Sequence, residues 1–364
     1  MSASRTWMLA ILFVSTFILI GCGGDDDDDA TGPFGGGDDD ATTDDDAADD
    51  DADDDDATDD DATDDDVDDD ADDDTSDDDT ADDDSADDDT GDDDGPACAD
   101  YANPQNVGNL DHPDVSETSG LAISAKNPGV LWAHNDSGDG PYVYAMTLTG
   151  EALGRVELTG ATASDWEDMA VGPCGDDECL YLADIGDNGA SRTDAGIYRV
   201  VEPEIDAAVP FGDLALGDWE HMAFTYPGGP RDAEAIGVHP DETIYLFSKL
   251  GGTTGVFAFP LWDDVDPVQP DYLGDLDTGT ALAFVTGADI HRNGNRLLLR
   301  TYVSALEWRA PAGGVFEDIL GESRIPVPAA IELQGEAIAY DPATGGYFHA
   351  AEGSSPILYF IGCD

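Results

Sequence analysis

Three short stretches place polar groups two residues apart at the head of an apolar run. Asp165 and Glu167 flank Trp166 in "SDWEDMAVGP". Asp232 and Glu234 flank Ala233 in "RDAEAIGVHP". Gln334 precedes Glu336 in "LQGEAIAYDP". Two weaker members complete the set: Glu117 with Ser119, and Thr286 with Asp289. Residues i and i+2 of a strand face the same way, so each pair would form one polar head. Carboxylates gathered at one place raise each other's pKa unless a base or a metal ion neutralises them. An all-oxygen set suits Ca²⁺, ahead of Mg²⁺ or Mn²⁺. The alternative is that each acid is spent on a neighbouring base or backbone amide as part of the fold.

The elements that carry these heads recur. The first runs align at Ser119, Glu167, Glu234, Thr286 and Glu336, at intervals of 48, 67, 52 and 50 residues. Each is followed by a second apolar run ("VLWAHNDSG", "LYLADIGDN", "IYLFSKLGG", "LLLRTYVS", "GYFHAAEGSS") and then by a third. The runs are short, rich in Val, Ile, Leu, Tyr and Phe, and bounded by turn residues, which is a strand pattern. A repeat near 50 residues with three or four strands is a propeller blade. The expected fold is all-β, a five-bladed β-propeller over residues 96–364. The long second interval leaves room for a sixth blade around "GDWEHMAFTYPG". The last repeat stops one strand short, and "CADYANPQNVGNL", ahead of the first, can supply that strand and close the ring.

In such a ring the first strands line a central channel, and the polar heads converge on one mouth. The metal ligands expected there are Glu167, Glu234, Glu336, Asp165, Asp232 and Asp289. The second runs end at the same mouth. They bring Arg192, Lys249, Arg300, Asp187 and Asn188 as ligand contacts, with His134 or Asp136 as a candidate base. No organic cofactor is expected.

Composition sets the address. The chain has 364 residues and a formal net charge of −73. Residues 1–21 hold one cation, Arg5, and an apolar stretch from Trp7 to Ile20, too short for the ~20 residues of a membrane span; this reads as a secretory signal. Its end, Leu19-Ile20-Gly21-Cys22, resembles the lipobox of bacterial lipoproteins, which implies lipid on Cys22. Residues 25–95 contain 42 Asp and no Glu, Lys or Arg. With so little apolar surface they are expected to be a disordered tether from residue 22 to 95, reaching at most ~230 Å at ~3.3 Å per residue. Residues 96–364 carry 43 acids against 11 bases, a net of −32. That excludes nucleic acid as a partner and docking on anionic lipid. The expected place is the bacterial envelope, at the outer membrane or cell surface, facing away from the cytoplasm, as a monomer. The partners are the membrane, through the lipid on Cys22, and an unidentified ligand or envelope protein.

Four cysteines remain in the globular part, an even number in an exported domain. Cys174 and Cys179 flank a tight turn, which suits a hairpin staple. Cys98 and Cys363 would then join the two ends of the ring. No G-x-S-x-G nucleophile elbow and no H-E-x-x-H zinc motif occurs.

Taken together, "SGLAIS…PGVLWAHNDSG", "DWEDMAVGP…LYLADIGDN", "DAEAIGVHP", "VTGADI…LLLRTY" and "QGEAIAYDP" resemble the exported bacterial propellers of the phytase-like, esterase-like and gluconolactonase (SMP-30) type. The resemblance runs from about Ser116 to the C-terminus. It implies a propeller outside the cytoplasm and, in the metal-using relatives, a divalent cation at the channel mouth, matched in placement by Glu167, Glu234 and Glu336. Two functions stay open: a binding module with a cation-binding mouth, and a metal-dependent hydrolase of phosphoesters, esters or lactones.

Overall fold

The structure, a computed structural model, describes residues 96–262 and 267–364. The expected signal, the lipidated Cys22 and the Asp-rich tether lie outside the described residues. β1 (Gln105–Asn109) comes first in the chain and belongs to the last blade. Blade 1 is β2 (Thr118–Ile123), β3 (Val130–Asn135), β4 (Tyr142–Thr147) and β5 (Ala152–Leu158). Blade 2 opens with β6 (Trp166–Cys174), β7 (Asp177–Asp184) and β8 (Gly196–Val201). The chain then lays β9 (Gly212–Leu216) parallel to β5 on the rim of blade 1, and returns as β10 (Trp219–Ala223), antiparallel to β8. Blade 3 is β11 (Ala233–Val238), β12 (Ile244–Ser248), β13 (Thr253–Phe259) and β14 (Asp271–Asp277). Blade 4 is β15 (Val285–Ile290), β16 (Arg296–Thr301), β17 (Ser304–Arg309) and β18 (Ile325–Val327). Blade 5 is β19 (Gly335–Tyr340), β20 (Tyr347–Ala351) and β21 (Ile357–Ile361), completed by β1.

The five-bladed expectation therefore holds, and the sixth blade does not form among the described residues. The extra residues of that interval supply two rim strands instead. Phe211, Leu214, Leu216 and Trp219 pack partly buried against the core between blades 1 and 2, while Met222, Phe224 and Tyr226 are buried in the core between blades 2 and 3. Their apolar surface is spent on two existing cores between blades, which leaves none to build a further sheet.

The innermost strands β2, β6, β11, β15 and β19 each neighbour the next, and β19 neighbours β2, so the ring is closed. β2, β11 and β19 are buried along their whole length, as strands covered on both faces must be. The core divides into five apolar clusters, one between each successive pair of blades. Trp132 and Trp166 are buried in the cluster between blades 1 and 2, as packing residues rather than ligand platforms.

Closure is made by the chain start. β1 runs antiparallel to β21, and Tyr101 bridges Cys363. Disulfides join Cys98 to Cys363 and Cys174 to Cys179. The first spans a sequence separation of 265 residues, the second one of 5. Long loops lose the most unfolded-state entropy on cross-linking. Replacing Cys98 and Cys363 by Ser is expected to lower unfolding stability by ~3–5 kcal/mol, and replacing Cys174 and Cys179 by distinctly less. Urea denaturation of the two variants measures the difference, and equal losses would contradict a ring held at its seam.

Candidate functional site

Each innermost strand carries a register slip against its second strand, always at the same place. The slips fall between Thr118 and Gly120, Trp166 and Asp168, Ala233 and Ala235, Val285 and Gly287, and Gly335 and Ala337. The residue skipped is Ser119, Glu167, Glu234, Thr286 or Glu336, which are the five positions where the sequence repeats align. A β-bulge leaves its extra residue without a partner and re-aims its side chain. Ser119, Glu167, Glu234 and Glu336 accordingly line one pocket at the channel mouth. The pocket measures about 250 Å³ and is completed by Thr118, Asp136, Asn188, Lys249, Tyr302, Gln334 and Glu352.

The five bulge residues divide by chemistry. The hydroxyls are spent on the fold: Ser119 Oγ donates to the backbone oxygen of Glu167, and Thr286 Oγ1 donates to that of Gly335 at 2.7 Å. Each hydroxyl thus ties its blade to the next. The three glutamates stay with the pocket. Glu234 pairs with Lys249, and the Lys249 ammonium also faces the Tyr302 ring, 5.6 Å from its centre. Ligand oxygens of Asp136, Asp165 and Glu167 lie within 4.8 Å of one another. Thr118 Oγ1, fully buried beside them in the pocket wall, has no hydrogen-bond partner.

Burial and mutual repulsion set the titration of these acids. Burial, then the charge of Glu234, pushes Glu336 up to about 9. Burial raises Glu234 to about 7 against the pull of Lys249. Burial, then Glu234, Asp136 and Asp165, holds Glu167 well above its ordinary value. Asp165 is raised by burial and by Asp136.

Other expected site residues lie away from the mouth. Asp289 is spent at the opposite end of the channel, where its carboxylate accepts the N–H groups of Ile290 at 2.8 Å and Tyr340 at 2.7 Å. It lines a separate pocket of about 30 Å³ there, room for one water. Asp232 accepts the Asp187 N–H at 2.9 Å and faces a side pocket. Asp187 in turn accepts the Arg192 N–H at 2.7 Å. The Arg192 guanidinium bonds Asp184 at 2.7 Å and Asp194 at 3.1 Å. Arg300 is fully buried and paired with Glu332 at 2.8 Å; a Cβ on Gly335 would fall 1.9 Å from its Nη2, so that bare glycine caps it. His134 is also fully buried, with Nδ1 bonded to the Asn135 carbonyl at 2.8 Å. Burial lowers its pKa, and it does not line the mouth, so it is not placed to serve as the base. The bulge explains Asp232, because it breaks the i, i+2 alternation that paired it with Glu234.

Asp168 is the residue that sequence reasoning missed. Its Oδ2 accepts the N–H of Ile236 in blade 3 and of Ala288 in blade 4, both at 3.0 Å, and its Oδ1 accepts that of Met169 at 2.8 Å. One carboxylate thereby joins three blades across the channel. The signal lay in the alignment, where the same column reads Gly120, Asp168, Ala235, Gly287 and Ala337: four small residues leave space for one acid.

No family model matches the sequence, and no curated protein matches it. Among solved structures the chain is similar to a PQQ-bound aldose sugar dehydrogenase from Streptomyces coelicolor, at 12% identity and a TM-score of 0.42, over 74% of this chain and 99% of that one. It is similar to a chain assigned as a gluconolactonase, at 12% identity and a TM-score of 0.40, over 73% and 93%. A chain from Bacteroides uniformis assigned as a 6-phosphogluconolactonase matches at 13% identity and a TM-score of 0.34, over 67% of each. All three are distant, and they say nothing of this chain's chemistry.

Asp168→Ala removes the acceptor of three backbone N–H groups, those of Met169, Ile236 and Ala288, and is expected to lower stability by ~2–5 kcal/mol in urea denaturation. Asp168→Asn keeps an amide oxygen for the two N–H groups of other blades and loses only the Met169 N–H, which its NH₂ would face, so its loss should be smaller, ~1–2 kcal/mol. Equal losses would remove Asp168 as the bond across the ring. The mouth acids predict an inverted pH profile. Their folded pKa values are raised, so they bind protons more tightly folded than unfolded. Their contribution is complete below about pH 4, the ordinary carboxyl range. It declines as pH rises, past about 7 for Glu234, and is exhausted above about 9 for Glu336. With chelator present, melting should shift to lower temperature from pH 5.5 to 8.5, and Glu336→Gln should flatten the slope; a parallel slope in that variant would refute the assignment.

Proposed function

We propose that this chain is a lipid-anchored module of the bacterial envelope, held through Cys22 and projected by its Asp-rich tether, whose channel mouth binds a divalent cation and presents a ligand-binding face. The observation that carries the reading is the convergence of Asp136, Asp165 and Glu167 within 4.8 Å. The donors are carboxylates, with Asn188 lining the same pocket. This all-oxygen chemistry fits Ca²⁺ first and Mg²⁺ or Mn²⁺ next. A bound cation would also relieve the repulsion that holds the mouth acids above their ordinary range.

The cation set differs from the one read in the sequence. Asp136 joins it, while Glu234 is engaged by Lys249, and Asp232 and Asp289 are bonded elsewhere. Hydrolysis of a phosphoester, ester or lactone is the second reading. It needs a base beside the cation, yet His134 is walled off and Asp136 belongs to the cation set. Binding is therefore preferred.

The test is thermal melting of the full chain, cleared of metal with chelator and then titrated with CaCl₂. A ligand that prefers the folded state adds about 2.7 kcal/mol at a concentration a hundred times its Kd. Ca²⁺ should raise the Tm of the native sequence and move that of Glu167→Gln much less. A Tm indifferent to Ca²⁺, Mg²⁺ and Mn²⁺ would end the reading. Metal-dependent turnover of a small ester, lactone or phosphoester, abolished in Glu167→Gln, would promote the second one.

A further inference from the structure

The face that carries the mouth is divided. Inner strands begin there and second strands end there, so the loops that lead into inner strands and those that follow second strands share one side of the ring. On the side of blades 3 to 5 these loops expose large apolar residues. Ile331 is 100% exposed, Leu333 94% and Leu282 71%, with Val303 and Leu250 also exposed. Three of them adjoin pocket-lining residues in the chain: Leu250 follows Lys249, Val303 follows Tyr302 and Leu333 precedes Gln334. Glu117, Asp136 and Asp165 stand on the side of blades 1 and 2, and Glu352, which accepts a hydrogen bond from Gln334 next to Leu333, stands where the acidic and apolar arcs meet in blade 5. Asp136 and Glu117 are close enough to Glu352 to act on its charge, and Asp136 acts likewise on Asp165. Of the nearby bases, Lys249 is committed to Glu234 and Arg192 to Asp184 and Asp194, while Arg231 lies beside Leu250 on the apolar side, over the Phe257 ring and away from the acidic rim.

We propose that this face docks a segment of a partner protein in which lysine or arginine alternates with large apolar residues, the cations meeting Glu117 and Glu352, the rim acids outside the divalent-cation set, and the apolar side chains covering Leu250, Leu282, Val303, Ile331 and Leu333. The proposal builds on the reading of the mouth as a ligand-binding face and names its partner. Charge complementarity selects the cation, since the rim repels an anionic lipid surface or a nucleic acid. Scattered single apolar residues are ordinary on a protein surface, but a run of them beside one pocket marks an interaction site. The apolar arc lies outside the polar pocket and is spread over four loops, so its occupant is an extended segment rather than a molecule that fits within the pocket.

The probe is a synthetic peptide of alternating lysine and leucine, compared with one of lysine and serine at equal length and charge. Both are titrated against the full chain by fluorescence anisotropy. Attraction to the Asp-rich region is common to the two peptides and cancels in the comparison. The leucine peptide is expected to bind at least about tenfold more tightly. The double substitution Ile331→Ser with Leu333→Ser should erase that difference while leaving the Ca²⁺-induced Tm shift unchanged. Equal affinities of the two peptides for the native sequence, or a difference that survives the double substitution, overturns the proposal. Self-association of the native chain that the double substitution abolishes also overturns it, because the arc would then be covered by a second copy. The Ca²⁺ shift is read separately, so loss of cation binding and loss of peptide binding are distinguishable.

Discussion

Five strand edges meet around one axis in this protein, and each brings backbone donors and acceptors with no neighbouring strand to pair with. Buried groups of this kind must be satisfied from somewhere. At the rim each blade ends in a strand paired on one side only, where water can serve its free groups, and β1 completes the last blade by pairing with β21. The inner edges have only side chains to call on. Ser119 and Thr286 take carbonyls of the next blade. Asp168 takes two N–H groups from two different blades, and Asp289 takes one from blade 5. The ring is therefore bonded through its centre as well as packed between its blades.

The bulges connect that constraint to the mouth. A regular strand would send alternate side chains to the two faces of its own sheet, into the cores between blades. One extra residue per inner strand lets a polar side chain leave the sheet pattern without displacing the apolar residues that follow, such as Leu121, Met169 and Ile236, which stay buried. The repeated polar head seen in the sequence is thus a repeated backbone irregularity. Its chemistry then varies freely, hydroxyl in two blades and carboxylate in three.

This explains what was legible beforehand. Strand runs, turn residues and spacing are properties of local sequence, so the blades, the closure by the chain start and both disulfides followed from them. The sixth blade stood only as an alternative to the expected five, because spacing alone does not say whether extra residues build a sheet or edge two existing ones. The site was legible in part. Glu167, Glu234 and Glu336 share the mouth, whereas Asp232, Asp289, His134, Arg192, Asp187 and Arg300 do not line it. Strict i, i+2 alternation was the wrong rule across a bulge. The ends of second strands also carry residues that turn inward under a glycine, as His134 does under Gly120 and Arg300 under Gly335. Asp168 was missed because the polar heads were compared at i and i+2 alone, and it is the odd member of the next column, where the other residues are small.

The contrast between Asp168 and Glu336 bears most directly on function. Both are buried acids near the same axis. Asp168 receives three backbone N–H groups, so its burial serves the fold. Glu336 stands beside Glu234 and Glu352 and is raised to about 9 by burial and their charge. Its protonation reduces the repulsion but supplies no bond between blades. Structural need accounts for one acid at the depth of Asp168; it does not account for several more crowded at the mouth above it. Uncompensated strain of this sort concentrates at sites that bind. Together with the orphaned Thr118 hydroxyl in the same wall, it supports reading the mouth as a place where something positively charged comes to rest.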